Sequence, residues 1–171
     1  MCGTILHLCA DIGSDSYFYA CDHNYDVIKV GKDIGVENYN PDFEVHGIIA
    51  NPVCTEFSMA RGNAIENPDL NMLENCLRII KQNSPDWWVI ENPFYGSMKK
   101  YLGVPDFVYQ PWEYGSPWTK KTALWGKFNI PKKIYQKWEN FPYKIKDLEN
   151  IENLKLIVGI VNKNKWRIFE Q

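Results

Sequence analysis

Three short apolar segments, each followed at once by a polar or glycine-bearing turn, constrain the fold of this chain most strongly. The segments are residues 4–9, 45–50 and 87–90, and the turns after them are residues 10–15, 51–58 and 91–93. Leucine and isoleucine recur at helical spacing over residues 68–82, which predicts an amphipathic helix before the third segment. Strands that alternate with helices indicate an α/β fold with a mostly parallel sheet. Because ligands bind beyond the carboxyl ends of such strands, the three turns are expected to line a site.

Several further elements are expected along the chain. Strands are predicted at residues 25–30, 107–109 and 122–125. A short helix is predicted through residues 19–20 and another over residues 132–138, whereas residues 154–161 fit either a helix or a strand. Trp87 and Trp88 are expected to be core residues with one ring on each face of their strand.

The length and composition indicate one globular domain that spans residues 1–171. Hydrophobic residues make up 45% of the 171 and charged residues 23%, which excludes disorder, collagen and a coiled coil as descriptions of the whole chain. No apolar run approaches the roughly 18 residues that a membrane span needs, and no secretory signal opens the sequence. The five cysteines form no CxxC pair and no metal-ligand spacing. We therefore expect a cytoplasmic protein with no metal and no membrane partner.

The charge is distributed unevenly along the chain. Residues 1–115 contain 7 Lys and Arg against 16 Asp and Glu, whereas residues 116–171 contain 12 against 5. The basic segment 116–171 either faces a phosphate backbone, as a DNA-facing extension of the domain, or forms an ordinary solvated surface. Charge alone leaves both interpretations open.

Two side chains that can carry chemistry follow apolar strands. Cys54 lies in a proline-stiffened loop, where a thiol is a nucleophile if its surroundings favour the thiolate and inert if it is buried. Glu91 comes directly after the strand at residues 87–90, where a carboxyl group needs a partner or a ligand. In a right-handed βαβ unit both project from the same edge of the sheet. A thiolate beside a protonated carboxyl group is what attack on an electron-poor heterocycle requires.

These motifs resemble those of the cytosine-C5 DNA methyltransferases, and in particular the small phage and prophage forms. The family's Pro-Cys loop corresponds to Pro-Val-Cys-Thr-Glu-Phe-Ser at residues 52–58, and its second signature to Glu-Asn-Pro at residues 91–93. Its first motif, a strand and a glycine turn, aligns with residues 8–14. Similar phage proteins carry segments like residues 112–118 and 120–126. The resemblance covers roughly residues 4–130.

The resemblance implies a compact Rossmann-like, S-adenosylmethionine-dependent methyltransferase fold without a large target-recognition domain. It also implies a phage- or prophage-encoded protein that acts on DNA in the cytoplasm of a bacterial host. The residues that it places at the cofactor are Cys9, Ala10, Asp11, Ile12, Gly13, Ser14, Asp33 and Pro52. Glu37 is a second candidate for the acid that holds the cofactor ribose.

The resemblance also implies a covalent mechanism. Cys54 attacks C6 of cytosine, Glu91 contacts and protonates N3, and Asn92 helps to hold that loop. The expected DNA contacts are Ser58, Arg61, Lys120, Lys121 and Thr122. The target base is flipped out of a duplex or supplied single-stranded.

The chain departs from the family pattern at several positions. Asp11 stands where the family usually has glycine, Cys9 where it has phenylalanine, and Val53 replaces the second proline before the nucleophile. These departures leave open a catalytically lapsed relative that binds nucleic acid, nucleotide or a host protein. An amino-methyltransferase is a further alternative, because Asn-Pro-Val at residues 51–53 is faintly similar to the proline loop of those enzymes. Unrelated chemistry on a free nucleotide is another alternative. His7 is expected to be a hydrogen-bonded core residue.

Overall fold

The computed structural model describes residues 3–10, 16, 19–20, 24–58, 65–115 and 119–140. The described strands are β1 (Thr4–Leu8), β2 (Asp26–Val30), β3 (Gly47–Ala50), β4 (Trp87–Pro93), β5 (Phe107–Tyr109) and β6 (Thr122–Lys127). The α-helices are α1 (Asn71–Asn83) and α2 (Lys99–Leu102), and two short 3₁₀ helices span Pro111–Tyr114 and Trp138–Asn140. Tyr19 and Ala20 are also helical. In the described part of the chain no helix has both the length and the apolar character that crossing a bilayer requires.

The described strands form one six-stranded sheet in the order β2-β1-β3-β4-β6-β5. The pairs among β2, β1, β3 and β4 are parallel, but β6 is antiparallel to both β4 and β5. The fold is thus α/β, and its sheet is mixed, so the prediction of a mostly parallel sheet is wrong. The positions of the strands were predicted closely. The direction of β6 was not, because an apolar run does not indicate whether its strand is parallel or antiparallel to its neighbours.

The strand β4 is longer than predicted, because β6 extends it. Residues 91–93 were expected to form a turn after the strand, but Glu91, Asn92 and Pro93 pair with Leu124, Ala123 and Thr122 of β6. On its other side β4 pairs with β3 only as far as Ile90. The candidate acid Glu91 therefore lies on a strand that is supported by a neighbour rather than in a free loop.

Two apolar layers cover the two faces of the sheet, which explains why the central strands are mostly apolar. Leu6, Ile48 and Ile90 belong to one layer, which includes the buried residues Leu73, Cys76, Ile79 and Ile80 of α1. Ile5, Ile49 and Val89 alternate with them and belong to the other layer. Trp88 packs against the first layer and Trp87 against the second, so they lie on opposite faces as predicted, but both are half-buried and not full core residues.

The helix α1 begins and ends close to its predicted bounds. It starts at Asn71, where the backbone N–H donates to the side chain of Asp69 at 2.9 Å, and not at residue 68. It ends where Ser84 adopts a left-handed conformation with φ 45° and donates to the carbonyl of Ile80.

The predicted helix over residues 132–138 is wrong. The backbone N–H groups of Ile134 and Tyr135 donate to the carbonyl of Glu113 at 3.0 Å, and Lys133 forms an ion pair with the Glu113 carboxylate at 2.7 Å. Contacts with a distant segment therefore replace the local hydrogen bonds of a helix. The ambiguous segment 154–161 lies outside the described residues.

Gly126 is expected to be essential for the close packing of β6 on β4. A Cβ atom at this position would lie 2.1 Å from the carbonyl oxygen of Trp88, and φ is 149°. We expect Gly126→Ala to lower the free energy of unfolding by about 3 kcal/mol, from backbone strain and overpacking together. Gly103→Ala is the control, because Gly103 also has a positive φ, 78°, but nothing within 4 Å. Equal losses for the two variants in urea unfolding would show that the close approach is unimportant.

Candidate functional site

The ends of four parallel strands lie side by side at one edge of the sheet. Leu8 at the end of β1 is opposite both Val30 of β2 and Ala50 of β3, and Ala50 is in turn opposite Ile90 of β4. The residues that follow these positions therefore converge. They border a cavity of about 660 Å³, which is within the roughly 300–1,000 Å³ typical of ligand pockets.

The cavity is lined by residues from each of these strand ends, from the start of α1 and from the loop before β6. They are His7, Cys9, Ala10, Val30, Gly31, Lys32, Gly35, Val36, Glu37, Asn51, Pro52, Val53, Cys54, Met72, Glu91, Asn92, Pro93 and Lys120. The residues among them that were predicted for the site are Cys9, Ala10, Glu37, Pro52, Cys54, Glu91, Asn92 and Lys120. Candidate cofactor residues and candidate catalytic residues thus share one cavity.

Some of the described residues that were predicted for the site do not border the cavity. Those that are described but do not line the cavity are Asp33, Ser58, Lys121 and Thr122. Thr122 is buried, and its hydroxyl donates to the carbonyl of Lys120 at 2.9 Å, which places it in the sheet and not on a surface that DNA could reach. Residues 11–14 and Arg61 lie outside the described residues.

The loop after β3 holds the Cys54 thiol at the surface. The backbone N–H of Phe57 donates to the carbonyl of Cys54 at 3.1 Å, and the carbonyl of the buried Phe57 accepts from Ser97 at 2.7 Å. On the other side of the thiol, Nδ2 of Asn92 donates to the carbonyl of Pro52 at 3.0 Å. The loop is therefore anchored on both sides of Cys54. The Cys54 side chain is exposed, which excludes the alternative of a buried, inert thiol.

Asn92 connects this loop to β4 and leaves one acceptor unused. Its side chain is buried and lines the cavity. Its Nδ2 holds the loop, whereas its Oδ1 is buried and has no hydrogen-bond partner among the residues that the structure describes. A buried acceptor without a partner is costly, so a ligand in the cavity that donates to it would be favoured.

A chain of hydrogen bonds connects the interior of the sheet to Glu91. The Nε2 atom of the buried His7 lies 2.6 Å from Oδ1 of Asn51, and Nδ2 of Asn51 donates to Oε2 of Glu91 at 2.8 Å. Because the amide of Asn51 uses an N–H for Glu91, its oxygen accepts, and His7 carries a proton on Nε2. In the neutral ring, Nδ1 of His7 then accepts from the hydroxyl of Ser16 at 2.8 Å. One carboxyl oxygen of Glu91 is thus held in a fixed position.

Sequence reasoning did not assign His7 or Asn51 to the site. His7 is a buried, hydrogen-bonded residue as predicted, but its link to Glu91 was not foreseen, and Asn51 was considered only as part of the turn after β3 and of a proline loop, with no role toward Glu91. A signal was present for Asn51. Asn51 directly follows β3, just as Glu91 directly follows the four apolar residues of β4. Since Ala50 pairs with Ile90, the next residues, Asn51 and Glu91, are also neighbours.

The cavity extends to the turn after β2. Val36 and Glu37 line it there, whereas Asp33 does not. A Cβ atom on Gly31 would lie 2.8 Å from the carbonyl oxygen of Ala10, so this turn approaches the end of β1 more closely than a larger residue would allow. Of the two acids considered for the cofactor ribose, the fold places Glu37 at the cavity.

The free thiols of Cys9, which lines the cavity, and of the buried Cys76 are hydrogen-bonded to each other, with their sulfur atoms 3.6 Å apart. The hydrogen bond with Cys9, together with burial, raises the pKa of the Cys76 thiol well above its usual range. Cys76 therefore stays protonated and unreactive, and Cys54 is the exposed thiol of the described cysteines. Within the described ranges, no cluster of His, Cys, Asp or Glu is suited to hold a metal ion.

Comparisons with known proteins show a shared fold. No model of a protein family matches the chain, and no curated protein matches it. Among solved structures it is similar to an E. coli protein, encoded within a prophage, whose name assigns it to the DNA modification methyltransferases without establishing the activity. The TM-score is 0.57 at 16% identity, over 84% of this chain and 53% of that one. This chain thus spans about half the length of that protein.

Proposed function

We propose that the protein is a DNA cytosine-C5 methyltransferase that uses S-adenosylmethionine and forms a covalent adduct through Cys54. The observation that carries this proposal is that an exposed thiol, Cys54, and a fixed carboxyl group, Glu91, line one cavity. The likeness in fold to a prophage protein named as a DNA modification methyltransferase supports the class of reaction. The motifs at residues 52–58 and 91–93 support cytosine C5 as the acceptor.

The two side chains supply complementary steps of the reaction. The Cys54 thiolate adds to C6 of cytosine, the C5–C6 π electrons form a C4–C5 double bond, and N3 gains an electron pair and takes a proton from Glu91. C5 is then electron-rich and would take the methyl group of S-adenosylmethionine, which would leave as S-adenosylhomocysteine, while the C4–N3 double bond re-forms and N3 returns its proton to the Glu91 carboxylate. Removal of the C5 proton by a base expels the Cys54 thiolate and restores the C5–C6 double bond.

The hydrogen-bond chain through His7 positions the acid for this chemistry. Asn51 donates a hydrogen bond to Oε2 of Glu91, whereas Oε1 accepts none from the residues that the structure describes. Oε1 is therefore the oxygen that contacts N3 of the base. Holding a catalytic group within a few tenths of an ångström of its working position is a large part of how an enzyme lowers a barrier.

The residues at the other end of the cavity fit a cofactor with a ribose and an adenine ring. The close approach of Gly31 to the Ala10 carbonyl leaves no room for a larger side chain at that turn, Val30 and Val36 line the cavity with apolar groups, and the exposed carboxylate of Glu37 can accept from ribose hydroxyl groups. The cofactor end and the Cys54 end belong to the same cavity, so a methyl group bound there reaches the base without leaving it.

Glu37→Gln is expected to weaken binding of S-adenosylmethionine by about tenfold, because it removes a charge-assisted hydrogen bond to the ribose. Asp33→Asn is the matched control, since Asp33 is an exposed acid of the same turn that does not line the cavity. Isothermal titration calorimetry measures both affinities without requiring turnover. A larger loss for Asp33→Asn than for Glu37→Gln would assign the ribose contact to Asp33.

Transfer of a labelled methyl group from S-adenosylmethionine to cytosine-containing DNA, single- and double-stranded, tests the proposed function. DNA that contains 5-fluorocytosine should trap the protein, because a base cannot remove fluorine from C5 as it removes a proton, and the covalent adduct is therefore not released. Mass spectrometry should then find the nucleotide on the peptide that contains Cys54.

The outcome also separates the proposed enzyme from a lapsed relative that only binds. Folded protein that binds S-adenosylmethionine and DNA but neither labels nor is trapped would contradict the covalent reaction. Label on the exocyclic amino group of adenine or cytosine would indicate an amino-methyltransferase instead.

A further inference from the structure

Aromatic and basic side chains form a surface beside the cavity. We name it the aromatic–lysine face and define it as Phe94, Tyr95, Lys99 and Lys121. The Nζ atom of Lys121 lies 4.2 Å from the ring centroid of Phe94 and 5.7 Å from that of Tyr95, and Nζ of Lys99 lies 5.7 Å from the Phe94 ring. The Tyr95 side chain is 65% exposed. The Tyr95 ring is therefore accessible to a partner.

The aromatic–lysine face is continuous with the candidate active site. Phe94 follows Pro93 directly, and Lys121 follows Lys120, and both Pro93 and Lys120 line the cavity. The backbone N–H of Phe94 donates to the carbonyl of Lys121 at 2.9 Å, which ties the two segments together. A polymer with one unit in the cavity would therefore pass over this face.

The chemistry of the face matches one kind of polymer. Exposed rings stack on nucleobases, and lysines beside them neutralise phosphates, which is the combination found in proteins that bind single strands. In an intact duplex the flat faces of the bases are covered by their neighbours, so a ring such as Tyr95 has nothing to stack on. Phe94 and Tyr95 are nearly perpendicular, with centroids 5.3 Å apart, and Nζ of Lys121 lies near both rings, so the three side chains form one continuous surface.

We propose that the aromatic–lysine face binds single-stranded DNA next to the target base, with an unpaired base stacked on Tyr95 and phosphates held by Lys99 and Lys121. This inference deepens the proposed function, because it assigns single-stranded or locally opened DNA as the substrate of the same site. It accounts for the exposed ring and for the lysines of two separate segments that meet over Phe94.

Fluorescence anisotropy with a labelled oligonucleotide that contains only adenine and thymine, so that neither strand of its duplex contains cytosine, tests this face without cofactor or turnover. Single-stranded DNA should bind at least about tenfold more tightly than the duplex of the same sequence. Tyr95→Ala should weaken binding of the single strand roughly tenfold, and Tyr95→Phe should restore it, because stacking needs the ring and not the hydroxyl. The double variant Lys99→Ala/Lys121→Ala should reduce the slope of log affinity against log salt by about 1.4.

Lys127→Ala is the matched control for charge, because Lys127 is an exposed lysine at the far end of β6, opposite Trp88. It should leave affinity and salt slope unchanged. Tyr95 variants that bind as wild type does, tighter binding of the duplex, or tighter binding of RNA of the same sequence would each overturn the proposal. Since the oligonucleotide lacks the acceptor base, failure of methyl transfer and failure of this face are observed separately.

Discussion

Cys54→Ser is expected to reduce methyl transfer to DNA by at least about a thousandfold, because a serine hydroxyl is a far weaker nucleophile than a thiolate at neutral pH. The change replaces one atom of an exposed side chain, so the fold and the affinity for S-adenosylmethionine should be unchanged. Single-turnover transfer of labelled methyl groups measures the loss. The 5-fluorocytosine adduct should disappear from the Cys54 peptide in the same variant.

Thr55→Ser is the control for Cys54→Ser, since Thr55 is an exposed neighbour in the same loop that does not line the cavity. It should keep most of the wild-type rate. If Cys54→Ser transferred methyl groups at a comparable rate, the covalent route would be refuted. Transfer would then have to proceed by direct attack of the acceptor atom, as in an amino-methyltransferase.

Asn51→Leu is expected to lower kcat by about 10- to 100-fold while the KM values for DNA and S-adenosylmethionine change little. Leucine has a similar size but neither accepts from His7 nor donates to Oε2 of Glu91, the two contacts that Asn51 makes at 2.6 and 2.8 Å. Losses of this size are typical when a residue that orients a reacting group is removed. Steady-state kinetics separate this effect from a loss of binding, and urea unfolding shows whether the fold is intact.

The role of Asn51 as a positioning residue is tested with Glu91→Gln and the double variant. If Asn51 acts through the Glu91 carboxyl group, its removal should cost little once that group is gone, with a coupling energy of at least about 1 kcal/mol. Losses that simply add would show that Asn51 affects the rate by another route. Asn51→Asp, which keeps the oxygen acceptor but removes the N–H donor, should be as slow as Asn51→Leu.

Much of the candidate site could be predicted from local patterns. The loop of Cys54 and the position of Glu91 were found because each follows an apolar run, and parallel strands end at one edge of a sheet. The predicted helix over residues 68–82 is observed as α1, Asn71–Asn83. These features depend on a few consecutive residues, so the sequence contains the information needed to find them.

Other features required contacts between distant segments. Residues 132–138 were predicted to be a helix, yet hydrogen bonds from Ile134 and Tyr135 to Glu113 hold them in another conformation. The antiparallel direction of β6 also could not be predicted from the sequence. Its antiparallel pairing is what converts residues 91–93 from a predicted turn into part of β4.

The division follows from the range of the interactions. Hydrophobic periodicity and short motifs are local, and they identify the strands, the helix α1 and the residues Cys54 and Glu91. The partners of those residues are set by the order and register of the strands, which depend on how the two faces of the sheet are covered. Three features of the site depend on contacts between different elements. They are the hydrogen bond of Asn51 with Glu91, the position of Glu37 instead of Asp33 at the cavity, and the contact of Lys121 with Phe94. They arise only when the chain is folded.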